Sequence, residues 1–349
     1  MRCSTPTRLP KNSGCCFIVP LNVLRTYAGD LRLDAQIRMK LKETFQETGR
    51  LKTFREAGRL AAVAFRRSQS PALAAAAAVQ QQVFDCQNRQ SLPGRIVSDP
   101  AKADEAAKIV FNVTGKVAEF YQKLFGRNSV DNQGLDLVSS VHYRQDFDNA
   151  FWNGQQMVYG DGDGRLFSEF YHSPDVIGHE LTHGVTQNES GLRYEGESGA
   201  LNESISDVFG AVFNQWLNTW AVGKPEGWLI GAGIVAKPEQ DTGKTCLRDM
   251  LQPTAEHCIS QQPDSYDNFD PTADVHYNSS IPNRAFAIFA QGVGGNSWDR
   301  AIQVWYAACT DKRLSANATF VDFARLTVEA AKALAGPLQE AWAKVKLPL

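Results

Sequence analysis

Two histidines four residues apart, with a glutamate beside the first, form the feature that most restricts how this chain folds. They are His179 and His183, with Glu180 between them, in the stretch GHELTHGV at 178–185. On an α-helix, residues four apart lie on one face, so both imidazoles can bind one metal ion. Glu180 lies about 100° around that helix from His179, where it can reach a metal-bound water without being a ligand.

A catalytic zinc site needs a third protein ligand and keeps its fourth position open. One familiar continuation, HxxGxxH, is excluded because Thr186 replaces its glycine and Glu189 its last histidine. The other route takes a glutamate from a second helix, and the helical stretch 199–213 supplies Glu203. Asp207 follows one turn later on the same face, where it can accept the remaining N–H of a ligand histidine. The pattern predicts one zinc ion (Zn2+) per chain.

Charge is divided unevenly along the 349 residues, although the net charge is only −2. Residues 1–70 hold 14 Lys and Arg against 5 Asp and Glu, which leaves 22 against 33 for the rest. The basic segment can therefore dock on the acidic remainder or form a solvated face. No apolar run is long enough to cross a bilayer, and the early run 15–24 is interrupted by Pro20, which makes it a poor signal-peptide core.

Residue spacing divides the chain into a mixed part and a helical part. Residues 30–65 have helical spacing, and 66–80 changes to paired arginines and small residues, which is typical of an exposed linker. Strand patterns between 80 and 171 flank one amphipathic helix at 106–126. Beyond residue 175 the predicted helices span 175–188, 199–220, 281–293, 297–309 and 319–334. The seven cysteines lack CxxC spacing, so Cys246–Cys258 is the one disulfide considered.

Five motifs together resemble the thermolysin-like zinc metallopeptidases. They are GHELTHGVTQNESGLRYEGESGALNESISDVFG, FDNAFWNGQQMVYGDGDG, CLRDM, VHYNSSIPNRAF and ANATFVDFARLTVEAA. The resemblance implies an α+β fold of two lobes with the zinc site between them. A β-rich N-terminal lobe would span 76–188 and a mainly helical C-terminal lobe 189–349, preceded by a basic pro-segment and linker at 1–75.

The resemblance also implies a reaction, the hydrolysis of peptide bonds before apolar residues. His179, His183 and Glu203 would bind zinc, and Glu180 would be the general base. Two further groups would stabilise the oxyanion, namely Tyr194 and His276. The positions that match the family's substrate-binding groups and apolar pocket are Asn149, Ala150, Arg248, Phe167, Phe170, Val176, Ile230 and Leu247.

The chain departs from the family pattern at two places. Pro271 stands where the family has an aspartate that supports the catalytic histidine, so Asp270 or Asp274 would have to replace it. The acidic calcium cluster is also depleted, which predicts weak or absent Ca2+ at the family's double site because calcium needs six to eight oxygen ligands. The positions of that site read Asp175, Asn214, Gly227, Leu229 and Ala232.

The stretch CCFIVPLNVLRTYA at 15–28 resembles the short pro-segment of protealysin-like members. It would chaperone folding, cover the cleft as an intramolecular inhibitor, and be released near 66–79. We expect peptides and proteins as substrates, a monomer, and neither nucleic acid nor membrane as a partner. The family implies secretion, although residues 1–29 do not form a Sec signal; a cytoplasmic location and an organelle transit peptide are the alternatives.

Two other functions fit parts of the sequence. A zinc exopeptidase would need an anchor for a chain terminus, and no such group is identifiable. A zinc-bound binding scaffold with decayed catalysis is supported only by Pro271.

Overall fold

The computed structural model describes residues 16–57 and 79–349, with the side chains of 53–57 excepted. The helical prediction for 58–65 and most of the predicted linker at 66–80 lie outside these residues. Within them, a mixed sheet dominates the first part and helices dominate the second. This is the order of elements that the α+β prediction requires.

The sheet has six strands, one of which comes from the N-terminal segment. The strands are β1 Cys16–Phe17, β2 Gln81–Asp85, β3 Arg95–Ile96, β4 Leu137–Val141, β5 Ala150–Trp152 and β6 Met157–Tyr159. Their spatial order is β1-β5-β6-β4-β2-β3. The pairs β2–β4 and β4–β6 are parallel. The other three pairs, β1–β5, β5–β6 and β2–β3, are antiparallel. A separate antiparallel pair joins β7 Leu229–Ile230 to β8 Arg248–Asp249.

The helices begin in the N-terminal segment and prevail after residue 174. They are α1 Leu21–Ala28, α2 Ala35–Ala57, α3 Glu105–Phe125, α4 Pro174–Asn188, α5 Gly196–Asn218, α6 Lys237–Gln240, α7 Val275–Asn278, α8 Ser280–Val293, α9 Ala301–Cys309, α10 Phe320–Ala331 and α11 Ala335–Lys344. Among the described residues, no helix combines the length and the apolarity needed to span a membrane.

Local sequence explains where several helices start and stop. The Asp104 side chain accepts the N–H of Ala107 at the start of α3, and Gly126, with φ +64°, ends that helix. Thr319 and Asp322 form a reciprocal capping box on α10. The predicted helix 297–309 was too long at its start, since α9 begins at Ala301, and α11 was not predicted as a separate helix.

Helices α4 and α5 approach each other closely because two glycines face each other between them. A Cβ on Gly210 would lie 2.5 Å from the Asp175 carbonyl oxygen, and one on Gly178 would lie 3.2 Å from the Gly210 Cα. No other residue fits at Gly210 without moving backbone. The glycine contact therefore sets the distance between the side chains that the two helices present to each other.

Candidate metal centre and cleft

Helices α4 and α5 bring the three predicted zinc ligands to one buried point. The Nε2 atoms of His179 and His183 lie 2.9 Å apart. Glu203 enters from α5, with one carboxylate oxygen 3.4 Å from His179 Nε2 and the other 3.5 Å from His183 Nε2. A tetrahedral zinc ion with bonds of about 2.0–2.1 Å separates its ligand atoms by about 3.3 Å, so this arrangement fits zinc.

Each histidine is oriented by hydrogen bonds at its other ring nitrogen. His179 Nδ1 donates to Asp207 Oδ1 at 2.9 Å. His183 Nδ1 lies 2.9 Å from Asn202 Oδ1 and 3.0 Å from Ser206 Oγ. When the hydrogen is on Nδ1, the lone pair is on Nε2, and the Nδ1 hydrogen bonds hold the ring so that this lone pair points to the shared point. This is the tautomer that binds a metal through Nε2. The sequence predicts Asp207 as a hydrogen-bond partner of a ligand histidine. It does not predict Asn202 or Ser206, which lie one helical turn apart on α5.

The surroundings of these ligands favour positive charge. Burial lowers the pKa of His179, but the carboxylates of Asp207 and Glu203 outweigh burial and raise it to about 10. Burial raises the pKa of Glu203, yet the neighbouring histidines hold it well below its usual range. In both cases the ionised form is stabilised by an opposite charge. A metal cation placed among the same groups would be stabilised in the same way.

Asp207 connects the metal centre to Arg248 on β8. The Arg248 Nε and Nη2 atoms donate to the two carboxylate oxygens of Asp207 at 3.0 and 2.7 Å. Asn283, which was not predicted, donates to the same carboxylate at 2.8 Å. Burial raises the pKa of Asp207, but Arg248 and His179 outweigh it and lower the value to about 2. Asp207 is therefore ionised at neutral pH.

Glu180 lies fully buried beside the ligands without being one of them. No side chain in the described part of the chain donates a hydrogen bond to its carboxylate, and the Trp152 backbone N–H is the backbone group there that favours the ionised form by a hydrogen bond. Burial, with Glu203 nearby, raises its pKa to about 8 against the attraction of His179. A buried carboxylate whose pKa is raised is a stronger base than an exposed one, and such groups are frequent among catalytic bases.

Tyr194 and His276 both contact the predicted ligand Glu203, with His276 Nε2 3.2 Å from one of its carboxylate oxygens. The Tyr194 hydroxyl donates to a carboxylate oxygen of Glu203 and lies 3.4 Å from His276 Nε2. His276 Nδ1 donates to the Asp274 carboxylate, which also caps α7 by accepting the backbone N–H of His276 at 3.2 Å. Asp270 instead accepts from the Thr272 hydroxyl. Of the two aspartates considered as replacements at Pro271, Asp274 is the one that contacts the histidine.

The N-terminal strand occupies the cleft next to this centre. β1 extends the sheet at β5, and the Ile18 N–H donates to the Ala150 carbonyl at 3.1 Å. Val19 exchanges two hydrogen bonds with the Asn149 side chain, at 3.0 and 3.1 Å. Asn149 and Ala150 are the groups predicted to hold a substrate backbone. Here they hold the backbone of the chain itself.

Two further predicted site residues bind carbonyl groups of the same strand. Arg248 Nη1 donates to the Ile18 carbonyl at 2.9 Å, and His276 Nε2 donates to the Phe17 carbonyl. The five predicted pocket residues are buried in the main core, which also contains Ile18. They are Phe167, Phe170, Val176, Ile230 and Leu247.

Ion pairs connect the basic N-terminal segment to the acidic remainder. Lys40 lies 3.0 Å from Asp146, and Lys52 lies 3.2 Å from Asp274. Lys52 also lies over the Tyr194 ring, 5.7 Å from its centroid. The basic segment is therefore docked on the acidic remainder in this structure, which agrees with the first of its two interpretations.

The aspartate at the family's calcium position is hydrogen-bonded within the protein. The Asp175 carboxylate accepts hydrogen bonds from the Ser173 hydroxyl and the Gly231 N–H, both at 2.6 Å. Among the described residues it belongs to no cluster of three potential ligands.

The Cys246 and Cys258 sulfurs are 3.8 Å apart, too far for a disulfide, so the bridge considered between them is absent from this structure.

Two family models match consecutive parts of the chain. The catalytic domain of thermolysin metallopeptidase matches residues 64–187, and the alpha-helical domain of thermolysin metallopeptidase matches residues 190–347. The precursor of protealysin, a metalloproteinase from Serratia proteamaculans, has a TM-score of 0.82 and 34% sequence identity. That likeness covers 95% of this chain and 100% of the other. The predicted two-part α+β fold is therefore confirmed.

Relatives of known activity are similar over most of their length. An extracellular metalloprotease of Pectobacterium carotovorum subsp. carotovorum is 42% identical over 280 residues, which are 75% of this chain and 80% of the relative. Protease PrtS of a Photorhabdus strain is 38% identical over 271 residues, 73% of this chain and 72% of the relative. Since the two family models together cover more than half of the sequence, the chain belongs to the thermolysin family of metallopeptidases and is a metalloendopeptidase.

Proposed function

We propose that this chain is a zinc-dependent endopeptidase made as an inactive precursor. The observation that carries the proposal is the convergence of His179 Nε2, His183 Nε2 and the Glu203 carboxylate, with both Nδ1 atoms engaged elsewhere. One zinc ion held there would supply a Lewis acid and a water whose pKa is lowered towards about 7.

Glu180 acts as the proton carrier of the reaction. Its buried carboxylate accepts the proton of the attacking water and then delivers it to the amine of the leaving peptide. Its burial beside the predicted ligands, with no side-chain donor among the described residues, supports this role because no ion pair holds the carboxylate in its ionised form. Burial raises the pKa of Glu180, which makes its carboxylate a stronger base than that of an exposed glutamate.

Tyr194 and His276 stabilise the negative charge that develops on the peptide carbonyl oxygen. His276 Nε2 already donates to a peptide carbonyl, that of Phe17, which is the interaction that this role needs. Asp274 holds the imidazole by its Nδ1 and acts as a positioning residue. Pro271 therefore gives no support to a decayed site, since a nearby aspartate replaces the missing one.

The substrate backbone is bound by Asn149, Ala150 and Arg248. The five apolar residues named above form the pocket for the side chain of the substrate residue that follows the cleaved bond. The N-terminal strand supports this assignment because its backbone satisfies the same groups. Ile18 would then mark the residue after the cut, which favours cleavage before apolar side chains. The chain lies along the groove on both sides of the Phe17–Ile18 bond, with Cys16 paired to β5 and Val19 bound to Asn149, as an endopeptidase cleft requires.

The N-terminal segment serves as an intramolecular inhibitor and folding aid. Its strand lies in the substrate groove, and its helix α2 adds the ion pairs of Lys40 and Lys52. Release near residues 66–79 would separate it from the catalytic part, for which we retain the boundaries 76–188 and 189–349. Export of the enzyme is proposed from the extracellular metalloprotease of Pectobacterium alone.

Cleavage of casein and of a blocked dipeptide amide tests this function. We expect activity that a chelator abolishes, that zinc restores and that Glu180→Ala lacks. Protein without residues 1 to about 70, or processed protein, should be more active than the uncleaved chain. One bound zinc per chain without cleavage by either form would favour the scaffold function, and an active enzyme whose N-terminus is still Met1 would contradict the zymogen.

A further inference from the structure

Cys16 lies beside the proposed zinc ligands. Its thiol, a ring nitrogen of His183 and a carboxylate oxygen of Glu203 all lie within 4.8 Å of one another, and all three side chains are buried. We infer that the sulfur of Cys16 is the fourth ligand of the zinc ion in the uncleaved chain. The inference rests on the proposed function of His179, His183 and Glu203 as a zinc site.

The pairing of β1 explains why Cys16 faces the metal centre. Alternate side chains of a strand point to opposite faces of the sheet. The Phe17 ring packs 5.0 Å from the Phe151 ring in a small aromatic cluster on one face, whereas Ile18 belongs to the main core on the other. Cys16 and Ile18 thus lie on the face of the sheet that packs against α4. Phe17 packs on the opposite face, against Phe151.

The chemistry of zinc makes a thiol at this position a ligand. Thiolate sulfur binds zinc at about 2.3 Å, and a zinc ion with three protein ligands has one position open. On binding, the S–H bond of Cys16 is broken, its proton passes to solvent, and a sulfur–zinc bond is formed. The ligand set becomes two imidazoles, one carboxylate and one thiolate, and water loses its place.

A sulfur ligand also explains how the strand can follow a substrate's path and remain whole. The Phe17 carbonyl accepts from His276 and the Ile18 carbonyl from Arg248, so the Phe17–Ile18 peptide bond lies where a substrate bond is cut. With the thiolate of Cys16 in the position of the water, Glu180 has no nucleophile to activate. The segment is then a ligand of the cleft and not its first substrate.

Zinc X-ray absorption of the full-length Glu180→Gln protein, which cannot process itself, tests the inference. Metal analysis first establishes one zinc per chain. We expect one sulfur neighbour at about 2.3 Å beside nitrogen and oxygen at about 2.0–2.1 Å. Cys16→Ser should lose the sulfur, whereas Cys15→Ser and Cys246→Ser should keep it. Cys246 is the control because, with His257 and Cys258, it forms the other possible metal-binding cluster among the described residues.

The outcomes separate this inference from the function on which it rests. One zinc per chain without sulfur overturns the inference and leaves the zinc site intact. Sulfur that persists in Cys16→Ser but is lost in Cys246→Ser also overturns it, because the metal is then at the other cluster. A chain that binds no zinc contradicts the proposed function itself. If Cys16→Ser does not fold, the cobalt-substituted Glu180→Gln chain decides, by the presence or absence of a thiolate-to-cobalt charge-transfer band.

Discussion

Arg248 donates two hydrogen bonds to Asp207, at 3.0 and 2.7 Å, and a third, at 2.9 Å, to the carbonyl of Ile18 in the cleft. The same Asp207 accepts the Nδ1–H of His179. One buried carboxylate thus orients both a proposed metal ligand and a proposed substrate-binding side chain. The proposed metal centre and the proposed substrate groove are therefore connected through this one carboxylate.

Replacement of Asp207 by asparagine should weaken metal binding. Asparagine keeps the shape but removes the charge that orients His179, and loss of such a partner typically costs about 10–100-fold in metal affinity. Competition with a chromophoric chelator measures the zinc dissociation constant. Asn283→Ala is the control, because it removes another contact of Asp207 but leaves its charge. Equal zinc affinity in Asp207→Asn and the unmodified protein would contradict this role.

Asp274→Asn should slow catalysis and leave zinc binding unchanged. Without the carboxylate, His276 is held less firmly and stabilises the oxyanion less, so we expect kcat/KM to fall about 10–100-fold. Steady-state kinetics of the processed enzyme give this value. The matched control is Asp270→Asn, whose carboxylate contacts Thr272 and which should retain nearly full activity. An equal loss in both variants would remove Asp274 from its positioning role.

Lys52→Glu should loosen the inhibitory segment. The substitution replaces the positive charge 3.2 Å from Asp274 by a negative one, in a pair whose side chains are only 20% and 19% exposed. A loss of about 1.4 kcal/mol in docking would raise the undocked fraction about tenfold. We expect a shorter lag before activity rises in freshly purified precursor. Lys42→Glu makes the same charge change at an exposed position and should keep the original lag.

Gly210→Ala should damage the contact between α4 and α5. The new Cβ would meet the Asp175 carbonyl at 2.5 Å, so backbone has to move. Such overpacking costs about 1–3 kcal/mol of unfolding free energy. Zinc affinity should fall with it, since Glu203 would be displaced from the two histidines. Denaturant unfolding of the Glu180→Gln protein measures the cost, and Gly223→Ala, with open space around it, should change stability by less than about 0.5 kcal/mol.

His142 should make stability depend on pH. Its hydrogen bond to Asp161 raises the pKa of His142 from 6.5 to about 9 in the folded chain. Because the folded value is the higher one, the stabilisation is complete below about pH 6.5 and is lost as pH rises through about 9. The side chain is 23% exposed, so we expect a contribution of about 1–2 kcal/mol, reduced by solvent.

The Tm difference between unmodified protein and His142→Asn measures that contribution. Asparagine is the replacement because residue 142 has φ +53°, which asparagine tolerates. The difference should be largest near pH 6 and should close by about pH 9.5. A difference that does not change over this interval would show that packing, and not charge, accounts for the effect of His142.

The sequence was most informative where chemistry and helical periodicity coincide. His179, His183 and Glu203 could be located because a metal fixes both residue type and spacing. Asn202 and Ser206 could not, since small polar residues on a helix serve many purposes and only the packing of α5 against α4 selects this one. The choice between Asp270 and Asp274 depended on loop conformation, which residue spacing does not determine.

The order of the strands was equally beyond the sequence. β1 has only two residues, Cys16 and Phe17, and its partner β5 lies more than a hundred positions away. Local patterns carry no information about such a pairing, because it depends on the tertiary arrangement of the cleft. The resemblance to short pro-segments was what indicated where the N-terminal segment would lie.

The addition of β1 to the edge of the sheet has a consequence for how the enzyme would be switched on. While the segment is tethered, its effective concentration at the groove is on the order of millimolar. A single cut near residues 66–79 abolishes the tether but none of the contacts, and the segment becomes an ordinary competitive ligand. Activation would then require that the released segment is diluted, or that it is degraded by the active enzyme after it dissociates.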